Sequence, residues 1–142
     1  MLFFGCRKRE QDFLFQHEWD MLNKSDFSLL QHYCHSETDT LSSIDSQRKD
    51  CGEKVSIISA FSQDQAAKDY VTNRIKANGE AVWKMLQQDA NVFVAGSAKR
   101  MPQDVRAALL HVIQEHGALN AAEAQQFIAL MVRRKKYIQE VW

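Results

Sequence analysis

The feature that most narrows what this chain can fold into is a repeated alternation: a short apolar run, a residue that closes it, then apolar positions at helical spacing. Met1 to Gly5 is a continuous apolar run ended by glycine, the pattern of a strand buried on both faces of a parallel sheet. Phe13, Leu14, Trp19, Met21 and Leu22 recur near helical spacing between Glu10 and Lys24, with Asp12 placed to cap the start. Val55 to Phe61 is rich in β-branched residues and runs into Ser62-Gln63-Asp64, after which Tyr70, Val71, Ile75, Val82, Trp83 and Leu86 mark one long helix. A third run, Val92 to Ala95, closes at Gly96. Pro102 then sits in the first turn of a helix whose buried stripe is Val105, Leu109, Val112 and Ile113, with Gly117 at its end. Asn120 caps another helix bearing Ala124, Phe127, Ile128 and Met131, and Arg133 to Lys136 fall at its C-terminal end, where the helix dipole favours cations. Tyr137 to Trp142 supplies a last strand.

Strands alternating with helices through short connections define an α/β fold, a parallel sheet with helices on both faces and right-handed crossovers. Ligands of such sheets bind at the carboxyl ends of the strands, near the point where the winding direction switches. Cys6, Ser62, Gly96 and Trp142 all lie at or just beyond expected strand ends.

Composition sets the outer bounds. With 142 residues and 45% apolar content, the chain has room for one modest domain. Lys plus Arg and Asp plus Glu balance at 18 each, so no overall field draws the chain to nucleic acid or to an anionic membrane, and any anion site must be local. Three cysteines at irregular spacings argue against a secreted disulfide scaffold and suit a reducing, cytoplasmic setting. The opening MLFFGCRKRE is far short of the roughly 20 apolar residues that span a membrane and is unlike a signal peptide.

Between Lys24 and Glu53 the alternation fails. Residues 25–52 are crowded with Ser, Thr, Asp and Gln, and a structureless stretch of this length inside a domain is uncommon; it reads as a polar, disordered insertion or an altered splice product. His32, Cys34, His35 and Cys51 lie within it but lack the C-x-x-C and H-x-x-x-H spacings of zinc sites. No metal is expected.

Four segments carry a family resemblance: FFGCR at Phe3 to Arg7, AFSQD at Ala60 to Asp64, VFVAGSAKRM at Val92 to Met101, and YIQEVW at Tyr137 to Trp142. In this order they resemble the nicotinamide-cofactor half of the diflavin reductases, whose Rossmann-like module of ferredoxin-NADP reductase type passes electrons from NADPH through FAD and FMN to an acceptor protein. The resemblance covers nearly the whole chain apart from the polar insertion. Pro102 favours the branch that serves cytosolic iron-sulfur cluster assembly, whose acceptor is an iron-sulfur protein such as anamorsin; the P450-reductase, sulfite-reductase and nitric-oxide-synthase branches are the alternatives.

The resemblance assigns roles by position. Ser62, Lys68 and Tyr70 match the group that holds the 2′-phosphate and stacks on adenine. Gln63 stands where relatives usually carry an arginine, a change that removes a charge-assisted contact of about 1.5–3 kcal/mol; Lys99 and Arg100 are the nearest candidates to compensate. Gly96 and Ser97, followed by Met101, match the turn beside the ribose and nicotinamide portion. Cys6, Glu140 and Trp142 match the hydride-transfer set: a thiol beside the nicotinamide ring, an acidic group that stabilises the ring's partial positive charge, and an aromatic that stacks on the flavin and must move aside. Taken as residue types alone, Ser62 and Lys68 read equally as a helix cap and a solvated lysine, and Cys6 as a small buried hydrophobe.

The family's FMN domain, its FAD-binding barrel and its first strand with a Gly-rich pyrophosphate loop all precede the FFGCR segment, and no G-x-G-x-x-G occurs in this sequence. The serine that partners Cys6 in relatives is also missing. The resemblance therefore implies the C-terminal part of an NADP(H)-binding domain, lacking its first strand and not a competent reductase by itself. A reading of another class is a non-catalytic interaction module presenting residues 25–52 and the Arg133 to Lys136 cluster.

Overall fold

Strands form at all four expected places in the computed structural model, which describes residues 1–24 and 56–142. The polar stretch 25–52, with His32, Cys34, His35 and Cys51, lies outside the described residues. The element order is β1 (Leu2–Cys6), α1 (Arg9–Asp12), α2 (Gln16–Lys24), β2 (Ile57–Phe61), α3 (Val71–Ala77), α4 (Gly79–Gln87), β3 (Val92–Gly96), α5 (Met101–Gly117), α6 (Ala121–Arg133) and β4 (Tyr137–Val141). This is the expected α/β alternation with parallel strands, but not one continuous sheet. Among the described residues β1 pairs only with β2, from Leu2 opposite Ile57 to Cys6 opposite Phe61, and β3 only with β4, from Val92 opposite Tyr137 to Gly96 opposite Val141.

Strand alternation decides what each pair buries. On β1, Phe3 packs against the main core, whereas its neighbour Phe4 points the other way, its ring 5.4 Å from Phe13 and 6.2 Å from Trp19. Phe61 shares the Phe4 face and meets Phe13 edge-on at 5.3 Å, so the β1–β2 pair is covered on both faces. On β3 and β4, Val94 and Tyr137 enter the main core. The opposite face carries Phe93 beside Ile138, and these are 71% and 41% exposed.

The main core is built on α5. Val105, Leu109, Val112 and Ile113 are buried as their spacing requires, with Ala108 added, and they pack with Ala124, Ile128 and Met131 of α6 and Ile75, Val82 and Leu86 of α3 and α4. Pro102 sits in the first turn of α5. Asn120 starts α6 through a capping box: its side chain accepts from the Glu123 N–H at 3.0 Å, and the Glu123 carboxylate accepts from the Asn120 N–H at 2.9 Å.

Three local expectations are corrected. The helix expected over 10–24 is broken in two around Phe15, whose φ is +60°. Asp12 closes α1 instead of capping α2, accepting the Lys8 N–H at 3.2 Å and pairing with Arg7. The long helix expected over 70–86 divides at Asn78, whose side-chain amide donates to the Arg74 carbonyl at 2.8 Å. His116 of α5 fills the space where a side chain at Gly79 would stand. Finally, the left-handed residue after α5 is Ala118, with φ 50° and ψ 31°. Gly117 is required instead by the Trp83 ring, 2.9 Å from where its Cβ would be.

Candidate functional site

The carboxyl ends of the two strand pairs gather most of the candidate residues into two clusters. At the β1–β2 end, the Ser62 N–H donates to the Cys6 carbonyl at 3.0 Å, the Ser62 hydroxyl lies 3.5 Å from the same oxygen, and the Gln63 N–H donates to Arg7 at 2.8 Å. These bonds extend the pairing past β2 and seat Ser62 beside Cys6. Gln63 and Lys68 are exposed. Lys68 sits in the loop before α3; Tyr70 occupies the N-cap position of α3 and is 49% exposed.

The Cys6 thiol is partly buried. Burial raises its pKa above the ordinary cysteine value, and the nearby Asp12 and Asp64 carboxylates push the same way, against a smaller opposing effect of Arg9. At neutral pH it is therefore a protonated thiol, suited to packing and poorly suited to nucleophilic attack.

At the β3–β4 end, the turn after β3 and the last residue of the chain are locked together. The Trp142 N–H donates to the Gly96 carbonyl at 3.1 Å, and the Ala98 N–H donates to the Trp142 carbonyl at 2.8 Å. The Trp142 indole itself is 78% exposed. Glu140 lies opposite Ala95 on the exposed face of the pair. Gly96 has φ +141°, a conformation that other residues rarely adopt, and a Cβ there would stand 2.9 Å from the Met101 methyl. The glycine thus opens a cradle ahead of the α5 N-terminus, whose N–H groups and dipole favour an anion, and Ser97, Lys99 and Arg100 line the approach in exposed positions.

Within each cluster the residues converge, but among the described residues no hydrogen bond or ion pair joins the two. Sequence reading missed the surroundings of Ser62. Arg9 lies over the Phe61 ring at 4.5 Å, and its N–H is 3.2 Å from both oxygens of Asp64. The basic run Arg7-Lys8-Arg9 directly after β1 was the available signal. No group of three potential metal ligands occurs among the described residues, and no helix of the described residues is long and apolar enough to cross a membrane.

No protein-family model matches the chain. It is 33% identical over 143 residues to NADPH-dependent diflavin oxidoreductase 1 of Bos taurus, a match covering 100% of this chain and 19% of that protein. It is 36% identical over 141 residues to the sulfite reductase [NADPH] flavoprotein alpha-component of Shewanella oneidensis, covering 99% of this chain and 19% of that protein. Its homologues are the diflavin NADPH reductases. A third member, NADPH–cytochrome P450 reductase of Musca domestica, is 32% identical over 143 residues, 100% of this chain and 17% of the reductase. The chain thus spans about a fifth of the length of the diflavin reductases it matches, while the similarity runs through both strand-end clusters.

Proposed function

We propose that this chain is the C-terminal NADP(H)-binding portion of a diflavin reductase, a Rossmann-like domain of ferredoxin-NADP reductase type, and that it holds the nucleotide across the carboxyl ends of its strands. The observation that carries the reading is the bonding of Trp142 to Gly96 and Ala98, which places a free indole directly beside a glycine cradle and a helix N-terminus. The residues fit the nucleotide in kind. Ser62 and Lys68 offer a hydroxyl and an ammonium to the 2′-phosphate, and the exposed Tyr70 ring offers a stacking face to adenine. Gly96 and Ser97 admit the ribose side, with the Met101 methyl behind them.

NADPH supplies a hydride when bound beside a flavin. In that setting the Cys6 thiol, neutral at pH 7, gives the nicotinamide ring a polarizable wall without adding charge. The Glu140 carboxylate favours positive character on that ring. The exposed Trp142 indole would offer a stacking face to the flavin. FAD and FMN belong to the remainder of the reductase, so the chain alone binds nucleotide without turning over. In the whole enzyme, electrons pass from NADPH through FAD and FMN to an iron-sulfur acceptor such as anamorsin, in cytosolic iron-sulfur cluster assembly. The 36% identity to a sulfite reductase flavoprotein favours, as second reading, the same portion of a sulfite-reductase-type enzyme.

Calorimetric titration of the purified chain with NADP⁺ and NAD⁺ tests the binding claim. Selective NADP⁺ binding is expected, weakened about tenfold by Lys68→Ala, equivalent to about 1.4 kcal/mol, with an unchanged circular dichroism spectrum. A folded chain that binds both dinucleotides equally, or neither, overturns it.

A further inference from the structure

Gln63 stands where the family resemblance sets an arginine, so the proposed 2′-phosphate site lacks a planar cation at that position. Lys99 and Arg100, the candidates offered by sequence, follow β3 and belong to the other strand-end cluster. The structure brings a different guanidinium to Gln63. The chain leaving β1 runs beside the chain leaving β2: the Ser62 N–H donates to the Cys6 carbonyl at 3.0 Å, the Gln63 N–H to the Arg7 carbonyl at 2.8 Å, and the Asp64 carboxylate accepts from the Arg9 N–H at 3.2 Å. The Arg9 guanidinium lies over the Phe61 ring, 4.5 Å from its centroid. Arg9 is thus tied by its main chain to the residue after Gln63 and by its side chain to the residue before Ser62. It brackets the Ser62-Gln63 pair.

Stacking on a ring uses the face of a guanidinium and leaves its N–H donors at the edge. Among the described residues no hydrogen bond or ion pair occupies those of Arg9. Its neighbours differ: Arg7 pairs with Asp12, and Lys8 carries a compact ammonium instead of a fork. Asp64 turns its carboxylate to the Arg9 main chain, so the guanidinium keeps its charge for another anion. That charge also acts at the strand end itself. Burial raises the pKa of Cys6, the residue opposite Phe61, and Arg9 opposes it. A side chain already held on a ring gives up less rotamer freedom when it binds a ligand.

We propose that Arg9 is the specificity-determining cation of the nucleotide site, presenting the edge of its guanidinium to the 2′-phosphate beside Ser62, in place of the arginine that Gln63 replaces. A bidentate guanidinium–phosphate pair suits a compact dianion and has no counterpart in NAD⁺, which ends in a hydroxyl at that position. Arg9 therefore separates the two dinucleotides, while Tyr70 contacts what they share. This role rests on the reading that the strand ends hold NADP(H).

The test is calorimetric titration of the full chain, Arg9→Gln and Lys8→Gln with NADP⁺ and with NAD⁺. Arg9→Gln keeps a stem that can lie on Phe61, and circular dichroism checks that both variants fold. Arg9→Gln is expected to weaken NADP⁺ binding about tenfold or more and to leave NAD⁺ binding unchanged. Lys8→Gln removes the same net charge and is expected to change either affinity by less than about twofold. NADP⁺ selectivity that survives Arg9→Gln overturns the role of Arg9 and leaves the nucleotide reading standing. Equal losses in the two variants would mean a diffuse field, and equal losses of both dinucleotides in Arg9→Gln a general positioning effect; each also overturns it. A native chain that binds neither dinucleotide overturns the nucleotide reading, and the role of Arg9 falls with it.

Discussion

The β1–β2 pair and the β3–β4 pair are built from strands of equal length and the same parallel geometry, yet they are stabilised by different means. The first holds its own aromatic cluster, Phe4, Phe13, Trp19 and Phe61, and its buried residues Ile57, Ala60 and Phe61 are not members of the main core. The second sends Val94 and Tyr137 into the core that α5 organises and leaves its other face bare. Helix α3 bridges them, touching β1, β2 and α5. Gly5 permits the approach, since a Cβ there would stand 2.5 Å from a methyl of Val71. The contrast teaches that one α/β alternation can be divided between a satellite, whose loss is local, and a nucleus, whose loss is global.

The sharpest way to break that comparison is Ile113→Ala. Ile113 is fully buried at the centre of the main core, and its truncation should cost about 4 kcal/mol and lower the urea midpoint for both pairs together; a cost below about 1 kcal/mol would remove α5 as the organising element. Phe61→Ala should cost about 3 kcal/mol, and hydrogen exchange should accelerate in β1 and β2 while β3 and β4 stay protected. Uniform acceleration would mean that the two pairs behave as one unit. Gly96→Ala is expected to cost about 2 kcal/mol because it forces a side chain into a left-handed conformation against Met101. This effect should appear at the β3–β4 end and weaken NADP⁺ binding, leaving the aromatic cluster unchanged by near-UV circular dichroism.

The smallest effect concerns Cys6. Its folded pKa is raised, so the native state holds its proton more tightly than the unfolded chain does. The corresponding stability is fully present below the unfolded pKa and is lost as pH rises through the folded value, in the alkaline range. Alkylation of Cys6 by iodoacetamide at pH 8, followed by mass spectrometry, should be slower than in the urea-unfolded chain, and Asp64→Asn should speed it. Equal rates in folded and unfolded chains would contradict a shielded thiol.

The strands were legible because short apolar runs rich in β-branched and aromatic residues mark them, as in Val92 to Ala95. The stripe from Val105 to Ile113 was legible because 3.6-residue spacing alone assigns it to one face. The break at Asn78 was not, and neither was the closeness of His116 to Gly79, which comes from a helix that local pattern cannot place. The same holds for Arg9 over Phe61, a contact between segments distant in sequence, and for the division of the sheet, which depends on which edges find partners. At the candidate site, Gly96 and Trp142 declared themselves as a turn glycine and a terminal aromatic.

The three tryptophans happen to sample the three territories of the molecule. Trp19 belongs to the aromatic cluster over β1, where its indole N–H donates to the Leu14 carbonyl at 2.9 Å. Trp83 lies against Gly117 and 5.5 Å from the Phe127 ring beside the main core, and Trp142 stands in solvent at the strand ends. Each should therefore emit at a different wavelength, the solvated indole furthest to the red, and single-tryptophan variants would turn the chain into its own optical reporter. Satellite, nucleus and strand-end site could then be followed separately, by colour, in one cuvette.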